Sequence, residues 1–314
     1  MNKKLNYNEF KELLINDVKE KLPQYEIVTN QVHKNNVIKD GLCGIKDHKK
    51  LAPTLYINEF YIDYNDNDKS YKEVLQKVMN IITYCEDDNN KITVECNNNA
   101  MNILSKLNDL EHNVMPRVVC TKTNTDLLDN VIHRDFLDMS IYYVIQIKVD
   151  DGVASVKMTE DLLKSKGITV DEEQLFKWSI NNLKEYNNYV ISMPKMINCI
   201  TYGLNEKDFI GYNAEDLMLV IKNDDCNGAN NILNIDLIKE ISDTINSDLY
   251  ILPSSIHELI VLPTDIANTT DMSVNELKEM VREVNTTTVD NEDVLTDTVY
   301  LYSRNTNKVT IAEQ

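Results

Sequence analysis

Leu249-Tyr-Ile-Leu-Pro-Ser-Ser-Ile-His-Glu-Leu-Ile-Val-Leu-Pro263 is two apolar runs that meet at a Pro253-Ser254-Ser255 break. Nearly every position of both runs is apolar, the pattern of strands covered on both faces. The break predicts a β-turn between them. The stretch therefore marks the centre of a folded unit. It also sets an ionisable pair, His257-Glu258, at that unit's rim.

The flanks extend the pattern. Before the stretch, Leu217–Lys222 reads as a strand, and Asn234 caps a helix carrying Leu237, Ile238, Ile241 and Ile245. After it, Ser273-Val-Asn-Glu276 is a capping box, with Leu277, Met280, Val281 and Val284 as the expected buried stripe. Thr298–Ser303 and Lys308–Ile311 close the chain as a hairpin around Asn305–Asn307. Upstream, a short helix is expected near Asn99–Leu107 and a strand at Arg117–Thr123. Ser140–Val149 alternates as a half-exposed strand: Ile141, Tyr143, Ile145, Ile147 and Val149 lie on one face, Ser140, Gln146 and Lys148 on the other. Asp151-Gly152 turns it back through Val153–Met158. Thr169-Val-Asp-Glu172 starts a helix bearing Leu175, Phe176, Ile180 and Leu183.

At the N-terminus, Asn6 and Glu9 cap a helix over Tyr7–Leu22, and Pro23 stops it. Strands are expected at Tyr25–Gln31, Asn36–Ile45 and Leu51–Tyr64. Ser70-Tyr-Lys-Glu73 then caps a helix to about Tyr84, with Val74, Val78, Ile81 and Ile82 inward. Consecutive strands separated by helices predict an α+β fold with antiparallel or mixed sheets and flanking helices. Three segments are expected: an α-β-β-β-α module over 1–98, a middle module over 99–204 containing the hairpin 140–158, and an acidic module over 205–314. A repeated helix-strand-strand-helix module is one reading of this order.

Composition bounds the function. The 314 residues carry a formal net charge of −19. Residues 205–314 hold 7 Lys and Arg against 21 Asp and Glu, a net −14. Such a surface repels phosphate backbones, so direct nucleic-acid binding is not expected. It attracts basic partners and speeds their encounter. No run approaches the roughly 18–20 apolar residues that cross a bilayer, so no membrane role is expected. The six cysteines are scattered without a C-x-x-C pair. Reduced thiols in a cytoplasmic protein are the expectation. Seven glycines and no phosphate-binding motif leave no cofactor to expect.

Two segments carry acid–base residue types. His133-Arg134-Asp135-Phe-Leu-Asp138 begins like the kinase catalytic loop, but position 140, where the loop needs Asn, is Ser. The plainer reading is that Arg134 pairs with a carboxylate and Asp138 ties the start of a strand. His257-Glu258 beside Ser254 and Ser255 offers a base near a hydroxyl. It lacks both a G-x-S-x-G elbow and the second His of a zinc-binding H-E-x-x-H helix. Asp63-Tyr-Asn65-Asp-Asn67-Asp68 resembles half of a calcium loop, without its Gly and terminal Glu. Asp224-Asp225-Cys-Asn-Gly228 reads as a solvated turn. Asp290-Asn-Glu292-Asp293 with Asp297 is an acidic run beside the last hairpin, suited to Lys and Arg on a protein partner.

Four stretches carry a resemblance: His133-Arg-Asp-Phe-Leu-Asp-Met-Ser-Ile-Tyr-Tyr143, Ser247-Asp-Leu-Tyr-Ile-Leu-Pro-Ser-Ser-Ile-His-Glu258, Met280-Val-Arg-Glu-Val-Asn285 and Val299-Tyr-Leu-Tyr-Ser303. Across nearly the full chain it resembles a bacterial family known only as a domain of unknown function, from anaerobic gut bacteria and often near mobile-element genes. The resemblance implies no catalytic residue. It implies an accessory role in plasmid or phage biology.

The expectation is a non-enzymatic cytosolic interaction protein that binds a basic protein, such as a host defence or nucleic-acid-handling factor, through Asp290, Glu292, Asp293 and Asp297. A hydrolase or metal-dependent enzyme using His133, Asp135, Asp138, His257 and Glu258 is the first alternative. It requires the two segments to converge. A structural component of a virion or conjugation apparatus is the second. No metal site is expected, and the oligomeric state is left open.

Overall fold

The computed structural model describes residues 4–46, 54–67, 69–84, 107–149, 152–253, 255–265 and 272–313. The chain divides into two compact units, residues 1–102 with 148–151, and residues 103–147 with 152–314.

In the first unit, α1 (Tyr7–Lys21) starts at the expected capping box: Asn6 accepts from the Glu9 amide and Glu9 from the Asn6 amide. Its Phe10, Leu14 and Val18 are fully buried. Strands β1 (Glu26–Lys34) and β2 (Val37–Ile45) form an antiparallel hairpin that turns at Asn36, in the left-handed region. A third strand, β3, is only Leu55–Tyr56. The long strand expected over Leu51–Tyr64 is not there; Ile57–Asn65 is a helix, α2. Ile57, Phe60, Tyr61 and Tyr64 repeat at helical spacing, and the last three bury aromatic surface with Phe10 and the inward face of α1. Helix α3 (Tyr71–Tyr84) follows the Ser70–Glu73 box, with Val74, Val78 and Ile82 buried. The half calcium loop is spent on this turn. Asp63 pairs with Lys69 and Lys77, both at 2.8 Å, and those hydrogen bonds hold its carboxyl well below the usual range. Asp68 lies outside the described residues.

The second unit begins with α4 (Leu107–Glu111); the rest of the helix expected near Asn99 lies outside the described residues. Strand β4 (Val114–Cys120), helix α5 (Thr125–Leu128), and strands β5 (His133–Phe136), β6 (Met139–Val149) and β7 (Gly152–Lys157) follow. They form a sheet of order β4-β6-β5, with β7 also on β6. Strand β6 is not half-exposed as its alternation predicts. Ile141, Tyr143 and Ile145 are buried, and so are Ser140 and Gln146 on the other face. Neighbouring segments cover that face, which periodicity cannot foresee.

Helices α6 (Glu160–Ser165) and α7 (Glu172–Glu185) come next; Asp171 caps α7, two residues after the predicted Thr169. Asn182 of α7 donates to the carbonyls of Glu111 and Val114, both at 2.8 Å, so the helix fixes the start of β4. Strand β8 (Asn188–Ser192), helix α8 (Met193–Tyr202) and strand β9 (Leu219–Asn223) lead to a 3-10 turn over Gly228–Leu233 and helix α9 (Ile235–Ile245), capped by Asn234 as expected. Strands β10 (Leu249–Leu252) and β11 (Leu259–Pro263), helix α10 (Val274–Thr287), and strands β12 (Tyr300–Ser303) and β13 (Lys308–Ile311) complete the chain.

The second sheet has the order β13-β12-β10-β11-β9-β8, antiparallel at every pair. The Leu249–Pro263 stretch supplies its two central strands. Leu249, Ile251, Leu259 and Val261 are fully buried, and Leu252 and Leu262 on the other face nearly so. The fold is α+β, as predicted. The expected boundary at 204/205 falls within this unit, between the paired strands β8 and β9. The β10–β11 connection is longer than a tight turn: pairing ends at Leu252 and Ile260, and Ser255–Glu258 lie outside both strands. On α10 the buried stripe is Val274, Leu277, Val281 and Asn285, whereas Met280 and Val284 are exposed. Asn285 earns its place by donating to Thr296 O at 3.1 Å and Asp297 Oδ1 at 2.7 Å. Among the described residues, no helix is long and apolar enough to cross a membrane.

Candidate functional site

Three segments meet at the end of the central hairpin: residues 224–229 after β9, Ser255–Glu258 before β11, and Asp290–Val294 after α10. The Gly228 and Ala229 amides donate to the carbonyls of His257 and Ile256 at 2.8 and 3.2 Å. The Ile256 amide donates to Asp293 O at 2.9 Å. Gly228 is the one residue type this junction accepts. A Cβ there would lie 2.4 Å from His257 O and 2.8 Å from Ile221 O, both backbone atoms.

The His257 side chain locks the same three loops. Its Nδ1 lies 2.8 Å from Cys226 O, and its Nε2 lies 3.1 Å from Asp293 Oδ2. Both partners are acceptors, so both contacts are hydrogen bonds only when both ring nitrogens carry protons. Burial alone would lower the imidazole pKa. The Cys226 carbonyl and the Asp293 carboxylate outweigh it and raise the pKa above 6.5. Ser255 is turned elsewhere: its hydroxyl accepts from the His257 amide at 3.1 Å and donates to Glu258 Oε1 at 3.3 Å. His257 and Glu258 thus take different partners. In this arrangement neither ring nitrogen is left to withdraw a proton from a serine or a water. Ser254 lies outside the described residues.

Beneath the loops sits a buried polar cluster. Arg117 of β4 donates from Nη2 to Asp225 Oδ2 at 3.0 Å, and Gln146 of β6 donates to the same oxygen at 3.0 Å and to Tyr186 OH at 2.9 Å. The Arg117 and Asp225 side chains are 10% and 2% exposed. Asp225 is therefore not the solvated turn residue expected from its neighbours. The Val118 amide donates to Asn230 Oδ1 at 3.1 Å in the same layer. The sequence carries one signal: Arg117 interrupts an otherwise apolar strand, and an isolated charge in a covered strand demands a buried counter-charge.

The His133 segment has its own partners. His133 is exposed, with Nδ1 3.1 Å from Val131 O, and Asp135 is exposed. Arg134 pairs with Glu172 at 2.7 Å and Glu173 at 2.5 Å and stacks on the Phe176 ring at 4.0 Å. Asp138 accepts from Thr298 Oγ1 at 2.6 Å and Tyr300 OH at 2.5 Å, which ties the two sheets of this unit. Burial and then Asp138 push the Tyr300 phenol far up. His133 opens onto a cleft of about 510 Å³ with Asp129, Glu160, Asp161 and Glu172; neither His257 nor Glu258 lines it. Among the described residues, no group of three or more His, Cys, Asp or Glu is placed to hold a metal ion.

The acidic run is divided. Asp290 and Asp297 are exposed, and Glu292 is half-buried. Asp293 is committed to His257, and Asp297 accepts from Asn285.

Comparison with curated proteins and with solved structures gives no match. The model of a family of unknown function, DUF5688, matches residues 7–304, and the chain belongs to that family.

Proposed function

We propose that the protein is a non-enzymatic, cytosolic binding protein that engages a basic protein partner through its acidic surface, as an accessory factor of a mobile element or phage. One observation carries this reading. Two of the residues that could do acid–base chemistry are occupied in holding the fold, while His133 and Asp135 stay exposed: both nitrogens of His257 bridge loops, and Asp138 accepts from two hydroxyls of the C-terminal strand region. What the surface does offer is charge, a net −14 over residues 205–314. Asp290, Glu292 and Asp297 are its accessible part in the loop after α10, while Asp293 positions that loop.

The test is association kinetics with a partner captured from the native cell. Neutralising Asp290, Glu292 and Asp297 slows association and flattens its salt dependence. Binding that is indifferent to salt, or untouched by neutralisation, refutes the reading.

A further inference from the structure

Helix α8 carries an apolar stripe wider than the core covers. Met196 and Cys199 pack inward with Met193 onto Ile191 and Val220. Ile197, at one edge of the stripe, and Ile200, in the last turn of the helix, are 53% and 70% exposed. A helix docked on a sheet needs an apolar arc of only roughly 100°. The excess continues beyond the helix, where Tyr202, Phe209, Ile210 and Leu217 are also exposed. Of the sixteen large apolar side chains exposed among the described residues, seven lie between Ile197 and Leu217. Scattered apolar residues are ordinary on a protein surface, but Ile197 and Leu217 of this group line one cleft.

The shelf has a cleft and a charge. Met193, Pro194, Ile197 and Asn198 face residues 215–218 across an open cleft of about 490 Å³. Its only charged lining residues are Glu215 and Asp216, both acidic. Lys195, the one cation of α8, donates to Gly211 O at 2.9 Å and is spent within the fold.

The geometry points to this shelf as the docking site for an amphipathic segment of the partner, its apolar side chains on Ile197, Ile200 and Leu217 and its Lys or Arg against Glu215 and Asp216. The inference rests on the binding reading above and adds an apolar contact surface to the acidic one. A second copy is the poorer occupant. Two-fold pairing would set the acidic rim of one copy near that of the other, on chains that each carry −19.

The probe is a synthetic amphipathic peptide of about eighteen residues, with leucines at helical spacing and lysines between them. Its controls are a scrambled peptide of the same composition and a glutamate counterpart. Anisotropy titration against the full chain should show the ordered lysine peptide binding at least tenfold more tightly than either control. The I197S/I200S variant should lose that advantage, and D290N/E292Q should keep most of it. Equal affinity for the scrambled peptide overturns the inference. Binding retained by I197S/I200S but lost in D290N/E292Q overturns the shelf and leaves the acidic-surface reading standing. No binding of either lysine peptide overturns both. A wild-type dimer in sedimentation that I197S/I200S dissolves would make a second copy the occupant and overturn the assignment. Both substituted isoleucines are more than half exposed, so circular dichroism should show the fold intact.

Discussion

Arg117 and Asp225, 108 positions apart in the chain, close a buried ion pair at 3.0 Å between the β4-β6-β5 sheet and the loop after β9. The pair joins the two halves of its unit through charges that water cannot screen. Truncating either partner leaves the other charge buried and alone. Asp225→Ala or Arg117→Ala should cost about 3–5 kcal/mol. Replacing both by leucine and methionine should cost less than either single change. Urea unfolding read by the one tryptophan, Trp178 on α7, measures this unit. Additive single costs would contradict the pairing.

The His257 clamp makes this unit's stability depend on pH. The folded pKa is raised above 6.5, so the clamp contributes fully below the unfolded value and is lost as pH rises through the folded one. The groups facing the ring are Asp293, Glu258 and the Cys226 segment. Relative to His257→Gln, the wild type should gain most at about pH 6 and progressively less toward about pH 9. A stability difference that stays constant across that range would show the ring is not doubly protonated.

Gly228 sits where three backbones converge. Gly228→Ala forces a methyl onto His257 O and Ile221 O, and overpacking of this kind costs about 1–3 kcal/mol. Amide exchange at Gly228 and Ala229, which hydrogen-bond to the His257 loop, should accelerate with it. Unchanged protection there would mean the junction has room to relax.

Asp138 holds Thr298 and the buried Tyr300 phenol. Asp138→Ala strands that phenol without its acceptor, at a cost of about 1.5–3 kcal/mol. Tyr300→Phe in the same background should recover part of the loss, because it removes the orphaned hydroxyl. Failure of that rescue would assign Asp138 some other role.

Local chemistry was legible wherever an element depends on near neighbours. The capping boxes at Asn6, Ser70 and Ser273 and the cap at Asn234 start helices as expected. The two apolar runs of Leu249–Pro263 lie at the centre of a sheet, because a strand with no polar face must be covered twice. The errors share one cause. By spacing alone, residues 57–64 read as a strand, Met280 and Val284 as core, and Asp225 as solvated. Each assignment needed to know what packs against the segment, and periodicity reports only the segment itself.

The sequence by itself determined the α+β class, the helix starts, the central hairpin and the acidic balance of the C-terminal third. These follow from side-chain spacing and from charge, which are properties of neighbours along the chain. Tertiary structure alone decided that Arg117 finds Asp225, that His257 binds Cys226 and Asp293, and that the outer edge of α8 stays uncovered. Hydrogen bonds and ion pairs act only over a few ångströms, so the partners of these residues exist only once remote segments have been brought together.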